Sequence, residues 1–147
     1  MPAYVQQPGQ FAVRVFNPIV IWLTKLGINA VGARILLVPG RRSGQVRSTP
    51  VQVLAVDGGE YLVAPRGHTQ WTRNLRAAGG GELQMGRKTE HFTATEVDDA
   101  VKPEILRAYV AKYKQANLFR ISGPQESDER LREIAPDHPV FRITRTG

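Results

Sequence analysis

"RSTPVQVLAVDGGEYLVAP", residues 47–65, is the stretch that decides the fold. Residues 47–56 read as a β-strand with Pro50 near its start, where a missing N–H is tolerated. Asp57-Gly58-Gly59 is a strong hairpin signal. Residues 60–65 then form the returning strand, and Pro65 ends it.

Outward from this hairpin the same vocabulary recurs. Upstream, "ARILLVPG" (33–40) reads as a strand that stops at Pro39-Gly40. Downstream, "QWTRNLRAA" (70–78) has helical character, with Trp71 and Leu75 at i, i+4, and the glycines 79–81 terminate it. "ELQM", a turn at Gly86-Arg87-Lys88 and "TEHFTATEV" make a second hairpin. Lys102-Pro103 opens a helix that runs to about Lys114 with Ile105, Leu106, Tyr109, Val110 and Tyr113 as its apolar stripe. "SDERLREIA" is a short helix begun by Ser127, and "PVFRITR" is a last strand. Hairpins dominate, so the sheet is expected to be mostly antiparallel. About six short strands with flanking helices suit a closed or partly closed barrel of the α+β class. Alternating strand–helix units are missing, which argues against a doubly wound parallel sheet.

The chain has 147 residues, no repeat and no long linker, so the expectation is one domain over 1–147. "FAVRVFNPIVIWLTKLG" (11–27) reads as an N-terminal helix capped by Asn17, with Pro18 at its first position and Gly27 at its stop. It is too short, and too interrupted by Arg14, Asn17 and Lys25, to span a bilayer. It either packs on the core or is an amphipathic segment that covers a site or touches a membrane surface. "MPAYVQQPGQ" lacks the pattern of a secretory signal, so the expected place is the cytoplasm, with peripheral contact at the inner face of the membrane left open.

Cysteine is absent, which excludes disulfides, thiolate metal sites and thiol catalysis. His68, His91 and His138 show no metal-ligand spacing, so no metal is expected. The net charge is +7, and its placement says more than its size. Between Arg34 and Lys88 there are nine Lys/Arg against three Asp/Glu, so this segment alone carries +6. A localised positive field points to an anionic partner.

The centre of that field is "VPGRRSGQVRSTP" (38–50). It has neither Walker spacing nor a G-x-G-x-x-G after a strand. Its chemistry still suits phosphate or carboxylate: glycines let N–H groups approach an oxyanion, guanidinium forks bind it, and Ser43 adds a hydroxyl. The plain alternative is a solvated basic hairpin tip. A second cluster follows, with Arg66, Gly67, Trp71, Arg73, Asn74 and Arg76. Trp71 and Asn74 can share a helix face and flank a planar anionic ligand, although Trp71 taken alone reads better as a core residue.

Together, "GRRSGQVRSTPV", "DGGEYLVAPRGHTQWTRNLRAAG" and "GRKTEHFTATEV" resemble the deazaflavin-dependent nitroreductase and quinone reductase family. The likeness runs from about Leu36 to Val97, with a weaker echo in "HPVFRI". It implies a split β-barrel related to flavin-binding oxidoreductases. It also implies coenzyme F-420, a deazaflavin with a phosphodiester and an oligoglutamate tail, in preference to FMN. On that resemblance Arg41, Arg42 and Arg47 meet the tail, and Ser43 and Gly44 surround the phosphate. Pro50 lies along the ring system, and Val63, Ala64 and Pro65 form the strand end that faces it. Arg66 sits near the phosphate, while Trp71 and Asn74 occupy the W-x-x-N positions that complete the groove. Pro65 stands where many members carry serine.

The reaction implied is hydride transfer from reduced F-420 to a small quinone-like, activated-alkene or nitro acceptor, followed by protonation. Tyr109 and Tyr113, four apart on the predicted helix, are the candidate proton donors; an aromatic pair in the core or rim is the other reading. His138, before Pro139, reads as structural. The rival class is a non-catalytic binder: an FMN- or haem-binding barrel, a cofactor carrier, or a basic barrel for nucleic acid. Only 7% of residues are aromatic and no strand carries a stacking pair beside its arginines, which speaks against nucleic acid. Monomer and homodimer remain open, since split barrels occur as both.

Overall fold

The computed structural model describes residues 33–146; the N-terminal helix expected over 11–27 lies outside them. Six strands follow in chain order: β1 (Ala33–Pro39), β2 (Val46–Val56), β3 (Gly59–Val63), β4 (Gly80–Met85), β5 (Lys88–Glu96) and β6 (Val140–Arg145). Helix α1 (Gln70–Ala78) joins β3 to β4, while α2 (Lys102–Tyr113) and α3 (Asp128–Ile134) lie between β5 and β6. Short 3-10 turns at Asp99–Val101, Ala116–Phe119 and Ala135–Asp137 had no clear signal in the sequence.

Every strand pair is antiparallel and the sheet closes in the order β1-β2-β3-β6-β5-β4. The barrel expectation therefore holds, and closure is due to β6. Its Phe141 pairs with Leu62 on one side, and its Ile143 with Ala94 on the other. Each strand is paired on both sides over part of its length, while residues 46–52 of β2 pair with β1 alone among the described residues.

The strand period of two divides the core in two. Inward side chains (Leu36, Val38, Val53, Leu62, Leu83, Phe92, Phe141 and Ile143) fill the barrel together with Leu75 of α1. Outward side chains of β2, β3 and β6 (Leu54, Val63 and Val140) pack beneath α2 and α3, against Ile105, Leu106, Tyr109, Val110, Phe119, Leu131 and Ile134. Each full burial of a large apolar side chain contributes about 1.5–3 kcal/mol. This second layer is therefore a stability element as well as a cover. Lys102 is 3% exposed, and its ammonium holds the Ala135 carbonyl at 3.0 Å and Asp99 Oδ1 at 2.7 Å, tying two of the 3-10 turns together.

The three glycines after α1 do two jobs rather than one. Gly79 is the left-handed C-cap. Gly80 and Gly81 already belong to β4, where a Cβ would lie 2.5 Å from the Phe92 carbonyl oxygen and 2.6 Å from that of Leu37. Only glycine permits so close an approach of β4 to its neighbours β5 and β1.

Candidate functional site

Antiparallel pairing sends the loop 40–45, the segment 64–69 and α1 to one end of the barrel, and the hairpin turns at 57–58 and 86–87 to the other. The two ends differ in how their cations are neutralised. At the far end Arg145 binds both carboxylate oxygens of Glu60 (2.8 and 3.0 Å) and Glu90 Oε2 (2.7 Å). That pairing raises the Arg145 pKa and lowers that of Glu90. At the near end Arg76 is paired with Glu96 at 2.6 Å, and Arg73 Nε donates to the His68 carbonyl. Arg42, Arg47 and Arg66 are exposed, and their side chains have no partner among the described residues. An excess of cations without carboxylates is thus concentrated at one end.

The loop explains how this end is shaped. Gly40 N–H donates to the Gln45 carbonyl at 2.8 Å, and Gly44 N–H to that of Gly40 at 2.9 Å. Gly44 has φ +74°, a left-handed conformation that glycine adopts without the Cβ clash. Gln45 N–H donates to Ser43 Oγ at 3.2 Å, which leaves the serine's own O–H available. The backbone N–H groups of Arg42 and Ser43 have no acceptor among the described residues. Two successive amides, a hydroxyl and neighbouring guanidinium groups make a set of donors suited to an oxyanion. The start of α1 adds to it. Thr69 is the N-cap but makes no side-chain capping bond, there is no acidic residue in the first turn, and the buried Thr69 Oγ1 has no partner among the described residues. The positive end of that helix is left uncompensated.

Arg41 is placed differently from its neighbour. Its backbone N–H donates to Asn74 Oδ1 at 3.1 Å, and its Nη1 to Asn74 Oδ1 and to Gln70 Oε1, both at 2.8 Å. The loop is therefore tied to α1 across 33 residues. Trp71 stands half-buried on the same helix, its ring 6.1 Å from that of Phe141 at 50°.

On the outer face of β2, Pro50 is half-buried and Gln52 follows it on the same side. Gln52 Oε1 lies 3.2 Å from the Tyr109 hydroxyl, and Gln115 Oε1 lies 3.1 Å from it. Tyr113 donates its hydroxyl to the Val53 carbonyl at 2.6 Å, and the two tyrosine rings stand 5.1 Å apart. Burial pushes the Tyr109 hydroxyl well above its ordinary value, with a smaller effect from Tyr113. Gln52 and Gln115 had no signal in the sequence, because an isolated glutamine marks nothing until a buried tyrosine is found beside it.

The end of β3 is anchored from within. Val63 and Ala64 are buried, while Pro65 is half-buried. Ala64 donates its N–H to the Pro139 carbonyl at 3.0 Å, and its carbonyl accepts from Gly67 N–H and His138 Nδ1. His138 is 0% exposed, and its ring lies 4.6 Å from that of Phe119. Burial is the main cause that lowers its pKa to about 4. The structural reading of His138 fits this position.

Two clefts lie elsewhere. One, of about 120 Å³, is bordered by Arg34 and Arg145, and the other, of about 270 Å³, by Tyr61 and Glu104. The described residues include no group of three side chains suited to a metal ion, and no helix long and apolar enough to cross a membrane.

Solved structures share this fold at low identity. An F420-H2 dependent reductase (FDR-A) superposes with a TM-score of 0.56 at 21% identity, covering 79% of this chain and 99% of its own. A domain-swapped dimer gives 0.54 at 19%, covering 94% and 100%. HutZ, the heme storage protein from Vibrio cholerae, gives 0.57 at 12%, covering 86% and 88%. Among curated proteins none matches. The sequence itself matches the family model described as F420H(2)-dependent quinone reductase over residues 24–120, which spans β1 to α2 and the whole basic end. The chain belongs to the F420H(2)-dependent quinone reductase family, a family of oxidoreductases, and carries its split β-barrel.

Proposed function

We propose that this protein binds reduced coenzyme F-420 along the basic end of the barrel and reduces a small quinone-like or activated-alkene acceptor there. The observation that carries the reading is the set of unneutralised donors at that one end: Arg42, Arg47 and Arg66, with the free amides of Arg42 and Ser43. Bound there, the reduced deazaflavin supplies a hydride, and the acceptor takes up a proton afterwards.

In this reading Arg42 and Arg47 bind the carboxylates of the tail, and Arg66 stands near the phosphate. The amides of Arg42 and Ser43, the Ser43 hydroxyl and the backbone at Gly44 hold phosphate oxygens. Arg41 ties the root of the same loop to α1, and Asn74 and Trp71 border the groove there. Pro50 gives the ring system an apolar surface. Val63 and Ala64 back the groove without donating to it, since the Ala64 peptide is bonded internally, and Pro65 meets the acceptor side. Of the two tyrosines, Tyr113 is the better proton donor: it is half-buried, whereas burial makes Tyr109 a weaker acid. Tyr113 would have to turn from the Val53 carbonyl to serve.

Spectral and fluorescence titration with F-420, FMN and haem in parallel tests the cofactor. The reading expects saturable binding of F-420, tighter for a long glutamate tail than for a tail-less form, and weaker as salt rises. Preference for FMN or haem, or equal affinity with and without the tail, would overturn it.

A further inference from the structure

Asn74 is 5% exposed, and its Oδ1 accepts both the backbone N–H and the guanidinium of Arg41. Neither of those groups can act as an acceptor. The amide of Asn74 therefore has one chemically sensible orientation, with its oxygen toward the loop and its N–H2 turned away from Arg41. That N–H2 has no partner among the described residues. Gln70 Oε1 engages the same Nη1 and keeps the guanidinium lying on α1 rather than reaching outward. Arg42, the next residue, makes no such contact and is exposed.

We infer that Arg41 is a positioning residue and not a ligand of the anionic tail: it holds Asn74 so that the amide N–H2 donates to an acceptor oxygen of the bound cofactor. The inference rests on the deazaflavin reading for the identity of that cofactor, and on the Arg41–Asn74 geometry alone for the positioning. It divides the basic loop into two functions. Arg41 fixes the loop and the Asn74 donor, while Arg42 and Arg47, with Arg66 beyond the loop, supply charge. It also sets a specificity rule. The ligand group over Asn74 must be a hydrogen-bond acceptor, such as a ring carbonyl or a phosphate oxygen.

Three variants separate these roles. In Asn74→Asp a carboxylate still accepts from Arg41, so the latch survives while the outward N–H2 is lost. The expected result is an unchanged or raised melting temperature and at least tenfold weaker F-420 binding. Arg41→Ala removes the latch. It is expected to lower the melting temperature of the cofactor-free protein and to weaken tailed and tail-less cofactor by the same factor, with the salt dependence unchanged; Arg41→Lys restores part of both losses. Arg42→Ala is expected to leave the melting temperature alone, to reduce the preference for the tail and to flatten the salt dependence. In nitrogen–proton NMR spectra the Asn74 side-chain amide, identified by its absence in Asn74→Asp, should stand apart from solvent-exposed amides and join them in Arg41→Ala. Wild-type affinity in Asn74→Asp overturns the donor role. An unmoved amide and melting temperature in Arg41→Ala overturn the latch whatever the cofactor. Absence of any deazaflavin binding by the unmutated protein overturns the cofactor reading and the donor role with it.

Discussion

Lowering the pH from 7.5 to 4.5 should destabilise this protein through one buried group before its carboxylates are touched. Burial holds the His138 imidazole neutral, with a pKa of about 4 against an ordinary value of 6.5. The bond from Nδ1 to the Ala64 carbonyl and the nearby Asp137 oppose that shift, while Arg120 and Lys102 add to it. The folded-state pKa lies below the unfolded one, so between pH 6.5 and 4 the unfolded chain carries more protons. Stability then rises with pH across that window and is lost as pH falls. Each pKa unit corresponds to about 1.4 kcal/mol, so the full difference contributes about 3 kcal/mol. For a chain of this size that is a fall in Tm of about 10 °C, most of it complete by pH 4.5. Glu90, Glu96 and Glu126 have lowered pKa values, so their contribution is lost only below the ordinary glutamate value of 4.5. The assay is urea unfolding at half-unit steps of pH, compared with His138→Asn, which offers an N–H to the same carbonyl and does not titrate. The variant should be less stable at pH 7.5 and lack the extra slope between pH 6.5 and 4.5. Equal slopes in the two proteins would refute the reasoning, because the buried imidazole would then not be the group that charges. The consequence reaches the site, since His138 anchors the strand end that leads into Pro65, Arg66 and Gly67.

Arg42→Ala should weaken F-420 binding about tenfold: a charge-assisted contact is worth about 1.5–3 kcal/mol, and exposure places it at the lower end; fluorescence titration at two salt concentrations measures it. Pro65→Ser should raise turnover of nitro compounds by about tenfold or more with little change in cofactor affinity, since one donor to a developing anion is worth about 10²–10³ in rate; parallel assays with nitro and quinone acceptors check the selectivity. Tyr113→Phe keeps the ring packing on Tyr109 and removes the hydroxyl. A role as proton donor then predicts a fall of about 10²-fold or more in kcat with KM for cofactor unchanged, whereas equal kcat assigns the tyrosine to packing.

The hairpins and helices were legible because their signals are local. Asp57-Gly58 and Gly86-Arg87 form the expected turns, and the boundaries of α1 match the sequence reading residue for residue. Closure by β6 was not legible, because pairing of Phe141 with Leu62 joins residues that no local pattern links. The three glycines after α1 were only half-read: a helix stop is visible in sequence, but the approach of a neighbouring carbonyl is not. At the candidate site the residue types and their cluster were legible and their division of labour was not. Arg41 and Arg42 are adjacent and chemically identical in sequence, and only the position of Asn74 separates them. The same holds for the tyrosines, whose spacing gave the pair but not the Gln52 and Gln115 amides and the Val53 carbonyl that engage their hydroxyls.

Central to this account is that the basic end of the barrel serves as a deazaflavin site for reduction of a small acceptor. The most direct measurement is anaerobic oxidation of chemically reduced F-420, followed by the return of deazaflavin absorbance, with the protein and a panel of quinones, enones and nitro compounds. The account predicts saturable, protein-dependent oxidation with a quinone or enone, slower oxidation with nitro compounds, and a raised KM for F-420 in Arg42→Ala. Tight binding of the cofactor with no acceptor-dependent oxidation across the panel would contradict it and make the protein a carrier or sensor of the cofactor.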